Sequence, residues 1–181
     1  MDNNLRKSGD FSEANRYAGS IFSFVPAHGG SRVGAVAEQL SRTLAEGPGA
    51  AVLLADLSKP AALPDRARRN HRFILADLSD LSAAESAEVM RASDAIFLVS
   101  GSDRTSLEKV REKVEALHSM NVDERCALLL TMAPNGVSVA EAEEISGLPV
   151  CSLVDTEQQI AQLGKWLAAN TSEPQQLALA G

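Results

Sequence analysis

The sequence predicts an α/β protein whose doubly wound, mostly parallel sheet of about six strands lies between two helical layers, and three observations carry that expectation. Short apolar runs alternate with amphipathic stretches along most of the chain, the pattern of strand–helix–strand units. The runs are apolar at nearly every position, as strands buried on both faces must be. A glycine-bearing turn, Gly29, Gly30 and Gly34, joins the first run to the first amphipathic stretch, so the chain reverses tightly at one end of the sheet.

Taken in order, residues 1–19 are polar with scattered Phe11 and Tyr17 and read as a flexible arm. A single domain is expected over 20–170. Its first strand is Ile21–Val25, followed by a helix whose Val33, Ala37, Leu40 and Leu44 share one face. The strand Ala51–Ala55 comes next, then a Pro- and Arg-rich connection from Lys59 to Arg72, then the strand Phe73–Ala76. Ser82 and Glu85 have capping-box spacing and start a helix, which leads to the strand Ala95–Val99. Thr105 and Glu108 repeat the spacing before a stripe of Leu107, Val110, Val114 and Leu117. The strand Ala127–Thr131 follows, then a third box at Ser138 and Glu141, with Gly147 and Pro149 closing that helix. Val150–Val154 is the last strand. Asp155, with Gln158 three residues on, is expected to cap a final helix whose apolar face is Ile160, Leu163 and Leu167. Residues 171–181 read as a flexible tail.

Composition excludes several classes. A chain of 181 residues with 45% hydrophobic residues is long enough for one well-filled core and too hydrophobic for a disordered protein. A formal net charge of -7 argues against nucleic-acid binding, which needs clustered Lys and Arg to release counterions. The dense basic group Arg66, Arg68, Arg69 and Arg72 reads as a solvated loop. Cys126 and Cys151 fall in apolar strands and read as core residues of a reducing compartment. His71 and His118 stand apart, without Cys or His at metal-ligand spacing, so no metal site is expected. Neither an apolar leader nor a membrane-length apolar run is present in the sequence, and a cytoplasmic location without direct membrane insertion is the expectation.

The chemistry concentrates at the first turn. Ile21-Phe-Ser-Phe-Val-Pro-Ala-His-Gly-Gly-Ser-Arg-Val-Gly-Ala-Val-Ala-Glu-Gln-Leu40 resembles the phosphate loop of the MinD/ParA class of P-loop ATPases. In that class backbone amides cradle phosphates, a lysine neutralises them and a Ser or Thr hydroxyl holds Mg²⁺. Laid on without gaps, His28 replaces the first lysine, Gly29 and Gly30 match, Ser31 fills the variable position and Arg32 replaces the third glycine. Val33 falls on the phosphate lysine and Gly34 on the hydroxyl residue. Another register, with Gly29 and Gly34 as outer glycines, puts Ala35 and Val36 on those two positions instead. Val52-Leu-Leu-Ala-Asp56 and Phe73-Ile-Leu-Ala-Asp77 resemble the later strands of the class that end in acidic residues, the second being its Walker B strand. Leu57-Ser-Lys-Pro60 is similar to a segment of bacterial capsule-synthesis tyrosine kinases, and Gly147-Leu-Pro-Val150 to the CpaE/TadZ branch that positions pilus machinery. The resemblance runs from about Ile21 to about Leu167.

What it implies is a P-loop NTPase-like fold in which His28, Gly29, Gly30, Ser31, Arg32, Gly34, Asp56 and Asp77 mark a degenerate phosphate site. Neither a catalytic residue nor a resident cofactor is expected, and the loop leaves room for weak nucleotide or anion binding. The segment between Asp56 and Asp77 is too short for the nucleotide-switch elements of the class. Thr131 stands where relatives carry an adenine-reading asparagine. The expected function is regulatory or localising, exerted through protein partners with a homodimer among the candidates, for pilus or exopolysaccharide machinery. The competing expectation is a slow ATPase or tyrosine-kinase-like enzyme of capsule polysaccharide synthesis.

Overall fold

The computed structural model describes residues 19–28, 32–47, 51–55, 67–68 and 70–171. The elements are β1 (Ser20–Pro26), α1 (Val33–Ala45), β2 (Val52–Ala55), β3 (Phe73–Asp77), α2 (Ala83–Ala92), β4 (Ala95–Gly101), α3 (Arg104–Ser119), a 3₁₀ turn (Asp123–Arg125), β5 (Cys126–Thr131), α4 (Val139–Ser146), β6 (Val150–Leu153) and α5 (Glu157–Asn170). The expected arm and tail fall outside the described residues except for Gly19 and Thr171.

The sheet order is β2-β3-β1-β4-β5-β6, and every neighbouring pair is parallel. Alternation along each strand divides its apolar side chains between two cores. On one face Phe22, Phe24, Phe73, Leu75, Phe97, Val99 and Leu129 pack with Val33, Val36, Leu40 and Leu44 of α1 and with Ile160, Leu163 and Leu167 of α5. On the other, Ile21, Ile74, Ile96, Leu98, Leu128 and Leu130 pack with α2, α3 and α4 through Val89, Met90, Leu107, Val110, Leu117 and Ala142. The three-layer α/β/α architecture is thus the one the sequence predicts. Each such buried Leu, Ile or Phe contributes about 1.5–3 kcal/mol relative to exposure. The Phe97 ring lies 5.5 Å from Phe24 and 6.2 Å from Phe22, centroid to centroid, tying β1 to β4.

Helices α1 and α5 touch through a missing side chain. A Cβ on Gly164 would stand 2.9 Å from Thr43 Cγ2 and 3.2 Å from Leu40 Cδ1, so glycine is what lets the two helices approach there.

Local signals set most helix ends. Ser82–Glu85 and Ser138–Glu141 form complete capping boxes, and Gly147 closes α4 in the left-handed conformation at φ 74°. Two expected caps move. Asp103, not Thr105, caps α3: it is extended at φ -75° and ψ 147°, and its carboxylate accepts the Ser106 N–H. Thr156 caps α5 in a box with Gln159, while the Asp155 carboxylate accepts the Met132 N–H across the sheet edge at 2.9 Å.

The basic segment is also corrected where it is described. Arg68 donates from Nη1 to the Gly19 carbonyl at 2.9 Å and to Asp94 Oδ2 at 3.0 Å, and from Nη2 to the Ala92 carbonyl. Arg72 donates to the Ala168 carbonyl at 3.1 Å, with its guanidinium 4.9 Å from the Phe73 ring centroid. Both are structural ties rather than solvated charges. Burial pushes the Cys126 thiol up to about 12 and the Cys151 thiol upward as well, so both remain protonated packing residues.

Candidate functional site

The described residues of the predicted site, just past β1, at the start of α1 and at the end of β3, lie at the carboxyl end of the sheet. In this topology the chain leaves β1 for β2 on one side and leaves β3 for β4 on the other. Ligands of open α/β sheets bind at such a reversal. His28, Arg32, Gly34 and Asp77 are described; Gly29, Gly30, Ser31 and Asp56 lie outside the described residues.

Val33 is fully buried in the core that holds Phe24 and Val99. Its side chain faces the interior of the sheet. Gly34 follows, and a Cβ there would stand 3.2 Å from Asp77 Oδ2. The structure therefore brings Gly34 and Asp77 together. Asp77 is oriented from its other oxygen: Oδ1 accepts the Ser79 N–H at 2.9 Å and the Ser79 O–H at 2.6 Å. Arg32 is the exposed N-cap residue of α1 and makes no side-chain cap.

His28 turns toward the opposite wall. Its Nε2 lies 3.0 Å from Ser106 Oγ on the first turn of α3. The Ser106 N–H donates to Asp103 Oδ1 at 3.0 Å, and hydrogen bonds from the Ser106 side chain, then its backbone, hold the Asp103 carboxyl below its usual value. Sequence reading missed Asp103 and Ser106. Their signal was the Asp–x–x–Ser spacing just after a strand, which marks a helix cap but not its partner 78 positions away. Thr131 donates its hydroxyl to the Ser100 carbonyl at 3.1 Å, so that group is engaged by the neighbouring strand.

The resemblance of the loop implies binding of a magnesium nucleotide. Among the described residues the donor set does not fit it. Val33 and Gly34 supply no ammonium and no hydroxyl, and Asp77 alone offers a carboxylate oxygen toward α1. No described helix is long and apolar enough to cross a membrane.

Comparison with solved structures defines the fold. The chain has the fold of the ParA/MinD ATPases. A ParA family ATPase from Chlorobium tepidum TLS superposes with a TM-score of 0.62 at 15% identity, covering 86% of this chain and 95% of that one. MinD from Aquifex aeolicus gives 0.66 at 11% identity over 87% of this chain and 99% of its own. It is also similar, at the same TM-score, in its complex with MinC. MinD from Pyrococcus horikoshii OT3, complexed with Mg-ADP, gives 0.59 at 13% identity over 85% and 99%. No family model matches the sequence, and no curated protein does.

Proposed function

We infer that this chain is a catalytically degenerate protein of the ParA/MinD fold, acting through protein contacts as a regulatory or localisation factor. Val33 carries the reading. At the position where the resemblance puts the phosphate-neutralising lysine, the side chain is fully buried in an apolar core, where an ammonium would be desolvated at a cost of several kcal/mol. Gly34, next to Asp77, cannot hold a metal for want of a side chain. The similarity to MinD solved with MinC supports work through a partner. The local likeness to the CpaE/TadZ branch and to capsule-synthesis kinases supports a pilus or exopolysaccharide setting in the cytoplasm. A homodimer fits the same reading. The loop binds phosphate-bearing ligands weakly and without base selectivity, since Arg32 is exposed and the Thr131 hydroxyl is turned to Ser100.

The test is Mg²⁺-dependent ATP hydrolysis together with titration of ATP, GTP and pyrophosphate. Turnover at background is expected, with weak and similar affinities that fall with salt and with Arg32→Ala. One observation favours an enzyme instead: Asp77 still presents a carboxylate to α1. Steady turnover abolished by Asp77→Ala would replace the regulatory reading with that of a slow ATPase or kinase.

A further inference from the structure

Strand β6 forms one edge of the sheet, with β5 as its strand partner among the described residues. An edge strand offers main-chain donors and acceptors on which another chain can pair. The Leu128 N–H donates to the Pro149 carbonyl at 2.9 Å, and the Val154 N–H to the Leu130 carbonyl at 3.0 Å. Val150 stands opposite Leu128 and Leu153 opposite Leu130 in this parallel register, so the main-chain groups of Val150 and Leu153 face away from β5. Both side chains are apolar and half-buried, which suits the edge to strand addition.

One outward group at each end of the strand is met from within the chain. The Val150 N–H donates to Glu143 Oε1 at 2.8 Å, a carboxylate that reaches it from α4. The Leu153 carbonyl accepts the Ser152 O–H at 2.9 Å. Between them the register against β5 shifts, and such a bulge twists an edge away from a flat partner. Glu143 is exposed and forms no ion pair among the described residues. We propose that Glu143 guards the β6 edge, an autoinhibitory contact that keeps a second copy of this chain from adding its own β6 to the sheet. An incoming strand must take the Val150 N–H from a carboxylate, whose hydrogen bond is stronger than that of a neutral carbonyl. In an edge-to-edge pair of copies both carboxylates would have to leave. Such a guard does not depend on the loop after β1, and it assigns any homodimer of the parent chain to another surface.

The test is sedimentation velocity of the parent, Glu143→Ala, Glu143→Gln and Ser138→Ala at rising protein concentration, with amide exchange at Val150 and Leu153. Ser138→Ala removes the cap of the same helix and leaves the edge guarded. Glu143→Ala should form a particle of twice the parent's mass as concentration rises, with exchange at Val150 and Leu153 slowed in that particle. Glu143→Gln, whose neutral oxygen holds the amide less firmly, should form less of it, and Ser138→Ala none. Adding Val150→Pro to Glu143→Ala removes the freed donor at the first residue of an edge strand, where proline is tolerated, and should restore the parent's mass. Equal masses for the parent and Glu143→Ala at every concentration overturn the inference. So does equal assembly by Ser138→Ala, which would trace pairing to a loosened α4. Exchange at Val150 and Leu153 that slows with concentration in the parent itself also overturns it, because the edge would then be open. Should Glu143→Ala unfold, Glu143→Gln decides by the same comparison with the parent.

Discussion

One missing carbon at Gly136 holds the loop between β5 and α4 in place. Ser102 is fully buried, and its Oγ accepts the Ala133 N–H at 2.8 Å while its carbonyl accepts the Val137 N–H at 2.8 Å. A Cβ on Gly136 would fall 1.8 Å from that Oγ, so Gly136→Ala must displace the serine that anchors the loop. We expect a loss of about 1–3 kcal/mol in urea unfolding; unchanged stability would show that the loop yields freely. The exposed pair His118–Asp123, 2.8 Å apart, gives a pH-dependent signature. The hydrogen bond to Asp123, then its charge, raise the His118 pKa, and the same hydrogen bond lowers that of Asp123. The imidazolium contribution is complete below about pH 6.5 and is lost as pH rises through the raised value. The carboxylate contribution is complete above about pH 3.9 and is lost as pH falls through the lowered value. In an NMR titration the His118 midpoint should be raised, and should fall in Asp123→Asn; an identical midpoint in both proteins would dissolve the pair. At this scale the sequence was least legible. Gly34 and Asp77 were singled out through their strand and loop context, whereas His28 and Ser106 join across 78 positions and carry no local mark of it.

At the scale of elements, capping was legible wherever it is local. Ser82 and Ser138 use only residues three apart. The cap at α3 went to Asp103 because the extended backbone there puts a carboxylate in front of the helix, leaving Thr105 inside the first turn. The cap at α5 went to Thr156 because a contact with Met132, just past β5, uses Asp155. Accordingly, Thr156→Ala should cost about 1 kcal/mol. Asp155→Ala should instead speed amide exchange at Met132 with little effect on α5, and a helix-wide rise in exchange would restore Asp155 as the cap. The α1–α5 contact sets two effects against each other. Gly164→Ala gains about 1 kcal/mol of helix propensity, yet its methyl meets the stiff Thr43 at 2.9 Å and overpacking costs about 1–3 kcal/mol. Net destabilisation is expected, with partial recovery on adding Thr43→Ser; a more stable single variant would show that α5 moves aside without penalty.

For the whole molecule, strand count, parallel pairing and the two helical layers followed from alternation and from runs apolar at every position, since only a sheet covered on both faces needs such runs. Strands β1 and β3 lie side by side in the register Ser20↔Phe73 through Phe24↔Asp77, a pairing between segments some fifty positions apart that no local pattern marks. The ties made by Arg68 and Arg72 did not follow, because a guanidinium that reaches carbonyls on other elements is indistinguishable in sequence from one that reaches water. Strand β1 sits in the middle of the sheet, yet its partners come much later in the chain: it pairs with residues 73–77 on one side and 95–99 on the other. A chain emerging from the ribosome must therefore carry this central strand unpaired until β3 is made, and half-paired until β4 is made. Refolding should accordingly be slow beside helical bundles of similar size, and a nascent chain halted after α2 should be the species most prone to aggregate.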